Sequence, residues 1–241
     1  MQGDQYRQHI SGQFNAELDT MKNHLLEMGG LVEQQLSRAV DSLLTRDSGM
    51  AATVIDTEAS INAMELQIDD ECSRILARRQ PAASDLRLVL AVAKCTTDLE
   101  RVGDEATKIA RQAIRLSELP PSPSQYTEVR QIARHVASLL REALDAFARL
   151  DVDRAIDVVM DDGSVDAEYD SAMRSLVTFM MEDARNIGGV LLEMWALRGL
   201  ERVGDHATNI AEQVVYLVRG LDVRHMGHAE LKAVVAGGAE A

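Results

Sequence analysis

Aromatic residues are scarce in this chain: three Phe, four Tyr and one Trp make up 3% of its 241 residues. Strands draw heavily on aromatic and β-branched side chains, so the shortage speaks against a sheet. Proline is scarcer still, with four in the whole chain, which leaves long stretches free of any helix breaker. The two cysteines, Cys72 and Cys95, form no Cys-x-x-Cys pair, which excludes a zinc ribbon or a dithiol redox motif. They read as buried free thiols in a reducing compartment. Base is in deficit: 25 Lys and Arg stand against 39 Asp and Glu, a net charge of −14, so the overall field repels nucleic acid and anionic lipid. No window approaches the roughly 18 uncharged apolar residues that a membrane span needs. Met1–Gln8 is polar and lacks the basic-then-apolar layout of a secretory leader, so a cytoplasmic location is expected.

What is abundant is Leu, Ala, Val, Met, Glu and Arg, and the apolar members recur at helical spacing. Leu18, Met21, Leu25, Met28, Val32, Leu36, Ala39 and Leu43 fall at gaps of three and four and mark one face of a long helix. Arg46-Asp47-Ser48-Gly49 closes it with a basic residue, a cap and a breaker. A second helix is expected from about Met50 to Arg79, where Pro81 stops it, and a third from about Ala83 to Ser117 through Leu86, Val89, Leu90, Ala93, Thr97 and Val102. Leu119–Ser124 holds three of the four prolines at the midpoint of the sequence and reads as a linker. The pattern then restarts with Val129, Ile132, Val136, Leu139, Ala143, Phe147 and Leu150. A fifth helix is expected from Asp151 to about Glu182 and a sixth from Asn186 to Arg219, with Gly220 just past its end. The fold class is therefore all-α: two tandem, pseudo-symmetric three-helix bundles built from six long antiparallel helices. Residues 1–118 form the first bundle, 119–123 the proline-rich linker, 124–225 the second bundle and 226–241 a flexible tail.

One repeat carries most of the information. Leu99–Ala110 reads LERVGDEATKIA and Leu200–Ala211 reads LERVGDHATNIA, ten identities in twelve at a constant offset of 101. The chain is an internal duplication, and the copy sits on the third helix of each half. Glu100 and Asp104 lie four apart, as do Glu201 and Asp205, so each pair shares a helix face where two like charges repel by about 0.2–0.5 kcal/mol. Each pair also brackets a helical glycine, Gly103 or Gly204, which costs about 1 kcal/mol relative to alanine. Costs kept in both copies point to a site. The chemistry that uses adjacent carboxylates is oxygen ligation of a metal, and a missing side chain permits close approach by another helix or a metal-bound water. Asp162 and Asp166 repeat the spacing on the fifth helix, with Asp170 one turn further, and Glu58 with Asn62 does so on the second, an amide replacing one acid. The same acids also fit a plain solvated patch, since Arg101 and Arg202 adjoin them and an acidic surface is commonly just solubilising. His206 has Glu105 as its counterpart in the first copy and reads as unliganded. Trp195, the single tryptophan, reads as a core or interface anchor.

The rival class is a metal-dependent helical-bundle enzyme, of phosphohydrolase or di-iron type. The Glu-x-x-His pairs of di-iron bundles, a His-Asp dipeptide, a P-loop and a Gly-x-Ser-x-Gly elbow are all absent from the sequence.

The two copies of Leu-Glu-Arg-Val-Gly-Asp, the Gln80-Pro81…Asp85-Leu86-Arg87 segment and the Tyr216-Leu217…Gly220 ending together resemble the PhoU family, over about residues 10–225. The resemblance implies two symmetric three-helix bundles, often dimeric or larger, with a homodimer expected here. It implies a negative regulator of the phosphate-starvation response that links the ATPase subunit of a phosphate ABC transporter to a membrane sensor histidine kinase. Such a protein is peripheral to the membrane only through its partners and catalyses nothing. It also implies iron or another divalent or trivalent metal at acidic surface clusters, with no organic cofactor. Glu100–Asp104, Asp162–Asp166 and Glu201–Asp205 keep the family's Glu/Asp-x-x-x-Asp pattern, whereas Glu58–Asn62 departs from it.

Overall fold

A computed structural model describes residues 12–121, 124, 126–224, 226, 227, 230 and 231. Within them the chain forms α1 (Gly12–Thr45), α2 (Ser48–Arg79), α3 (Ala83–Ser117), α4 (Thr127–Arg149), α5 (Val152–Glu182), a short 3-10 turn (Ala184–Asn186) and α6 (Ile187–Arg219), and the described residues contain no strand. Ser122 and Pro123 of the expected linker lie outside the described residues, as does most of the expected tail and the polar start. Leu119, Pro120 and Pro121 belong to no helix.

The duplication is visible in the turns. Arg46 and Leu150 both take a left-handed backbone, with φ of 59° and 56°, and close α1 and α4. In each case the next residue donates its backbone N–H five residues back, Asp47 to Ser42 and Asp151 to Ala146, the signature of a Schellman ending. Asp47 and Asp151 then cap the following helix, their side chains accepting from the backbone N–H of Met50 and Arg154. The second helix accordingly starts at Ser48 rather than Met50 and takes Gly49 into its first turn. At the other end of the chain Gly220, at φ 71°, donates to the carbonyl of Tyr216 and ends α6 where expected.

Helices α1, α2 and α3 pack together, and so do α4, α5 and α6; α3 also lies along α6 and α1 along α4, so a single apolar core runs through both halves. The outer helices α2 and α5 pack chiefly within their own half. The α1 stripe from Leu18 to Leu43 is buried throughout, as is that of α4 from Val129 to Phe147. The α3 stripe differs from expectation: Leu86, Leu90 and Thr97 face outward, and the core is met by Leu88, Val92, Cys95, Leu99, Val102, Ala106 and Ile109. The reason is that α3 is covered by α1, α2 and α6, and from Leu86 to Cys95 apolar residues point to most sides, so a period alone does not identify its outer side there. Cys72 and Cys95 are buried free thiols; burial pushes Cys72 up to about 12, where no reactive thiolate forms at neutral pH. No helix among the described residues is long and apolar enough to cross a membrane.

Candidate acidic site

The glycines inside the repeated motif have a geometric role. A Cβ at Gly204 would stand 3.3 Å from Val165 of α5 and 3.4 Å from Val136 of α4; one at Gly103 would stand 3.2 Å from Ile61 of α2 and from Gln35 of α1. Val165 lies between Asp162 and Asp166, and Ile61 lies between Glu58 and Asn62. Each glycine therefore lets the outer helix come close at the register where its acids meet those of the inner helix. The approach is by a helix, which decides between the two occupants that the missing side chain allowed.

The acids consequently feel one another. In the second half, burial raises Glu201 above the ordinary carboxylate range, and Asp205 and Asp166 raise it further. Partial burial likewise raises Asp205, with Asp162 and Asp166 adding to it. Glu201 lies almost wholly out of solvent; its Oε1 accepts from Arg198 at 2.8 Å, while its Oε2 is buried with no hydrogen-bond partner. Thr208 donates to Asp162 at 3.0 Å. In the first half, burial and then Asp104 raise Glu100, with a smaller push from Glu58. Arg101 lies 3.4 Å from Glu100 and 3.9 Å from Asp104, and Arg111 lies 3.6 Å from Glu58. Asn62 is exposed. The acid that reaches Glu100 and Asp104 from α2 is instead Glu65, which burial and those two neighbours raise. Glu65 stands seven residues after Glu58, hence on the same helix face, and that spacing was its signal in the sequence.

The eight expected residues thus form two pseudo-equivalent faces, α2/α3 and α5/α6. Among the described residues no three His, Cys, Asp or Glu side chains converge closely enough to enclose an ion as they stand. The donor chemistry nevertheless suits a hard cation: oxygen donors only, mutual repulsion, and one buried carboxylate oxygen with no other partner.

His206 lies elsewhere. Its Nδ1 is 2.9 Å from Asp98 on α3, which also accepts from Asn209, so it ties α6 to α3. At the pseudo-equivalent place Glu105 is buried and accepts from Arg202 at 3.0 Å and Lys108 at 2.9 Å. Arg202 therefore serves the seam between the halves and does not pair with Glu201. Trp195 is 64% exposed, which rules out the core reading and leaves the interface one.

A family model described as the PhoU domain matches this chain twice, over residues 25–113 and 129–214, one match per half. The chain belongs to the PhoU family. Among PhoU relatives, the Pseudomonas putida protein named phosphate-specific transport system accessory protein PhoU homolog is 58% identical over 233 residues, covering 97% of this chain and 91% of the relative. The Escherichia coli accessory protein PhoU is 45% identical over 229 residues, 95% of each chain. The crystal structure of PhoU from Pseudomonas aeruginosa superposes with a TM-score of 0.84 at 58% identity, covering 86% of this chain and all of that one. PhoU from Streptococcus pneumoniae, titled a phosphate transport system regulatory protein, superposes at 0.79 with 29% identity over 87% of this chain and 99% of its own. The PhoU fold, two three-helix bundles in tandem, is the fold described above.

Proposed function

We propose that this protein is a cytoplasmic, non-enzymatic negative regulator of the phosphate-starvation response, coupling a phosphate ABC transporter to a sensor histidine kinase and modulating phosphate uptake. The observation that carries it is membership of the PhoU family across nearly the whole chain, with relatives named as accessory proteins of a phosphate-specific transport system. The double bundle supports it physically. Two like faces on one continuous core give an adaptor two places to hold partners, here the transporter's ATPase subunit and the kinase's cytoplasmic portion.

Metal binding is the second part of the proposal. Glu201, Asp205, Asp162 and Asp166 would hold a divalent or trivalent cation in the second half, and Glu100, Asp104 and Glu58, with Asn62 as a neutral oxygen, would do so in the first. A bound ion supplies neutralising charge and a cross-link between inner and outer helix; iron is the expected species. Gly204 sets the close approach of α5 to α6, which holds these four acids near one another against their repulsion. The neutral amide of Asn62 would weaken the first site, and Glu65, which reaches Glu100 and Asp104 from α2, would offset that loss.

Affinity purification of the tagged full chain from phosphate-replete cells tests the coupling. The ATPase subunit and the kinase should both be recovered, and recovery of neither contradicts the proposal. Incubation with phosphomonoesters, nucleotides and polyphosphate, with and without Mn²⁺ or Fe²⁺, should give no turnover. Hydrolysis that disappears in Asp205→Ala would replace the regulator with an enzyme.

A further inference from the structure

Eleven large apolar side chains are exposed among the described residues, and nine of them sit on the α2/α3 and α5/α6 pairs, the same helices that carry the acids. The second half carries the larger share. On α6, Ile187, Leu191 and Trp195 step along the helix at four-residue intervals, all exposed. Ile187 stands five helical turns before Asp205 and so lies in line with it, while Leu191 and Trp195 turn away from that line by about 40° and about 80°. On α5, Val177 and Met181 lie three turns beyond Asp166 and Asp170, and Met181 is 83% exposed. Arg198 marks the join: its guanidinium lies 5.9 Å from the Tyr169 ring centroid on α5 and pairs with Glu201. The repeat preserves the layout at the same offset, with Leu86 and Leu90 of α3 in the places of Ile187 and Leu191.

A face with an exposed tryptophan and methionine at one end and carboxylates at the other is complementary to one kind of partner. Exposed Trp and Met supply apolar anchor area and an adaptable surface. Asp166, Asp170 and Asp205 lie exposed at the other end, and Asp166 and Asp205 repel one another, while Glu201 is buried behind them and paired with Arg198. We infer that the α5/α6 face is a docking site for a basic amphipathic helix of a partner protein, its apolar stripe lying on Ile187, Leu191, Trp195 and Met181 and its Lys or Arg end meeting the acids. An anionic lipid surface is repelled by those acids, and a second copy of this chain brings the same carboxylates to the contact.

Trp195 is the only tryptophan, so its emission reports this face alone. The full chain, kept in chelator so that no cation competes, is titrated with a synthetic helix bearing Leu on one face and Lys at one end. Emission should shift to the blue and saturate, while a peptide with the same apolar face and Glu in place of Lys should leave it unmoved. Leu191→Asp should weaken binding of the basic peptide by roughly 30-fold or more. The double variant Asp166→Asn, Asp170→Asn, at two exposed positions, should weaken it by about tenfold. Leu90→Asp, in the first half, should leave the signal intact. Emission unmoved by the basic peptide overturns the proposal, as does an equal shift with both peptides. Emission that moves with protein concentration alone assigns the face to a second copy instead. Only peptide binding is read, so failure here leaves the phosphate role standing.

Discussion

Alanine at Gly204 and alanine at Gly103 make the same chemical change in two copies of one motif, yet alanine should cost more at Gly204. Each gains about 1 kcal/mol of helix propensity. At Gly204 the new methyl meets Val165 and Val136 at 3.3 and 3.4 Å, one on each neighbouring helix, and both valines are buried. A valine is stiff about χ1 and has no slack end, so the methyl is an overpacked group that costs about 1–3 kcal/mol. The net effect is a loss of about 1 kcal/mol. At Gly103 the two tighter contacts, the amide oxygen of Gln35 and the Cδ1 of Ile61 at 3.2 Å, are the far ends of longer side chains, and the Cγ2 of Ile61 follows at 3.4 Å. These ends shift more easily than a valine methyl, though Gln35 is buried and held by hydrogen bonds to Val54 and Thr107, so the net effect lies between no change and a gain of about 1 kcal/mol. Urea titration of both variants in chelator reads the difference, and in melts about 1 kcal/mol corresponds to roughly 2–4 °C for a chain of this size. Adding Val165→Ala should relieve Gly204→Ala, giving a favourable coupling in the double-mutant cycle. If Gly204→Ala is as stable as Gly103→Ala, or stabler, the glycine does not set the approach of α5.

Burial, opposed in part by Arg224, pushes Glu212 up to about 7, far above the 4.5 it has when unfolded. The folded state therefore holds a proton that the unfolded chain has released, and stability falls as pH rises from about 4.5 to about 7; Glu212→Gln should melt higher than the parent at pH 8 and close to it at pH 4.5. His135 of α4 lies 2.8 Å from Asp161 and 3.3 Å from Glu168, both on α5; burial lowers its pKa, but those two carboxylates outweigh it and raise the net value. Its contribution is full below the unfolded pKa and is lost as pH rises through the folded one, so His135→Asn should destabilise at pH 6 more than at pH 9 by chemical denaturation. Addition of Fe³⁺ or Mn²⁺ should raise the melting temperature with concentration, and Glu201→Ala with Asp205→Ala should remove the second-half share of that shift; a double variant that melts higher than the parent while no metal shifts either protein makes the acids a solvated patch.

The helices were legible in the sequence because period, caps and proline act locally: Asp47, Asp151, Pro81 and Gly220 punctuate the chain as their chemistry requires. The duplication was legible because the motif is long and its offset constant. What escaped was whatever depends on the third dimension. Leu86 and Leu90 sit in the stretch Leu86–Cys95 of α3, where apolar residues point to most sides, so only the arrangement of α1, α2 and α6 shows that they face outward. Glu105 and Asp98 look like surface acids until α6 is laid along α3. Glu65 was hidden because attention to four-residue spacing selects Asn62, whereas packing brings the next turn to Glu100. The glycine at the centre of the motif was correctly read as a point of close approach, but which helix approaches, and that it carries the other two acids, is a matter of register between helices that no local pattern encodes.

The central claim, that this double bundle restrains the phosphate-starvation response, is tested most directly in the cell that makes it. The gene is deleted, and the output of a phosphate-starvation promoter is measured in abundant phosphate. The promoter should be on in the deletion strain and return to repression when the full chain is supplied again. A deletion strain that represses the promoter normally in abundant phosphate would contradict the account.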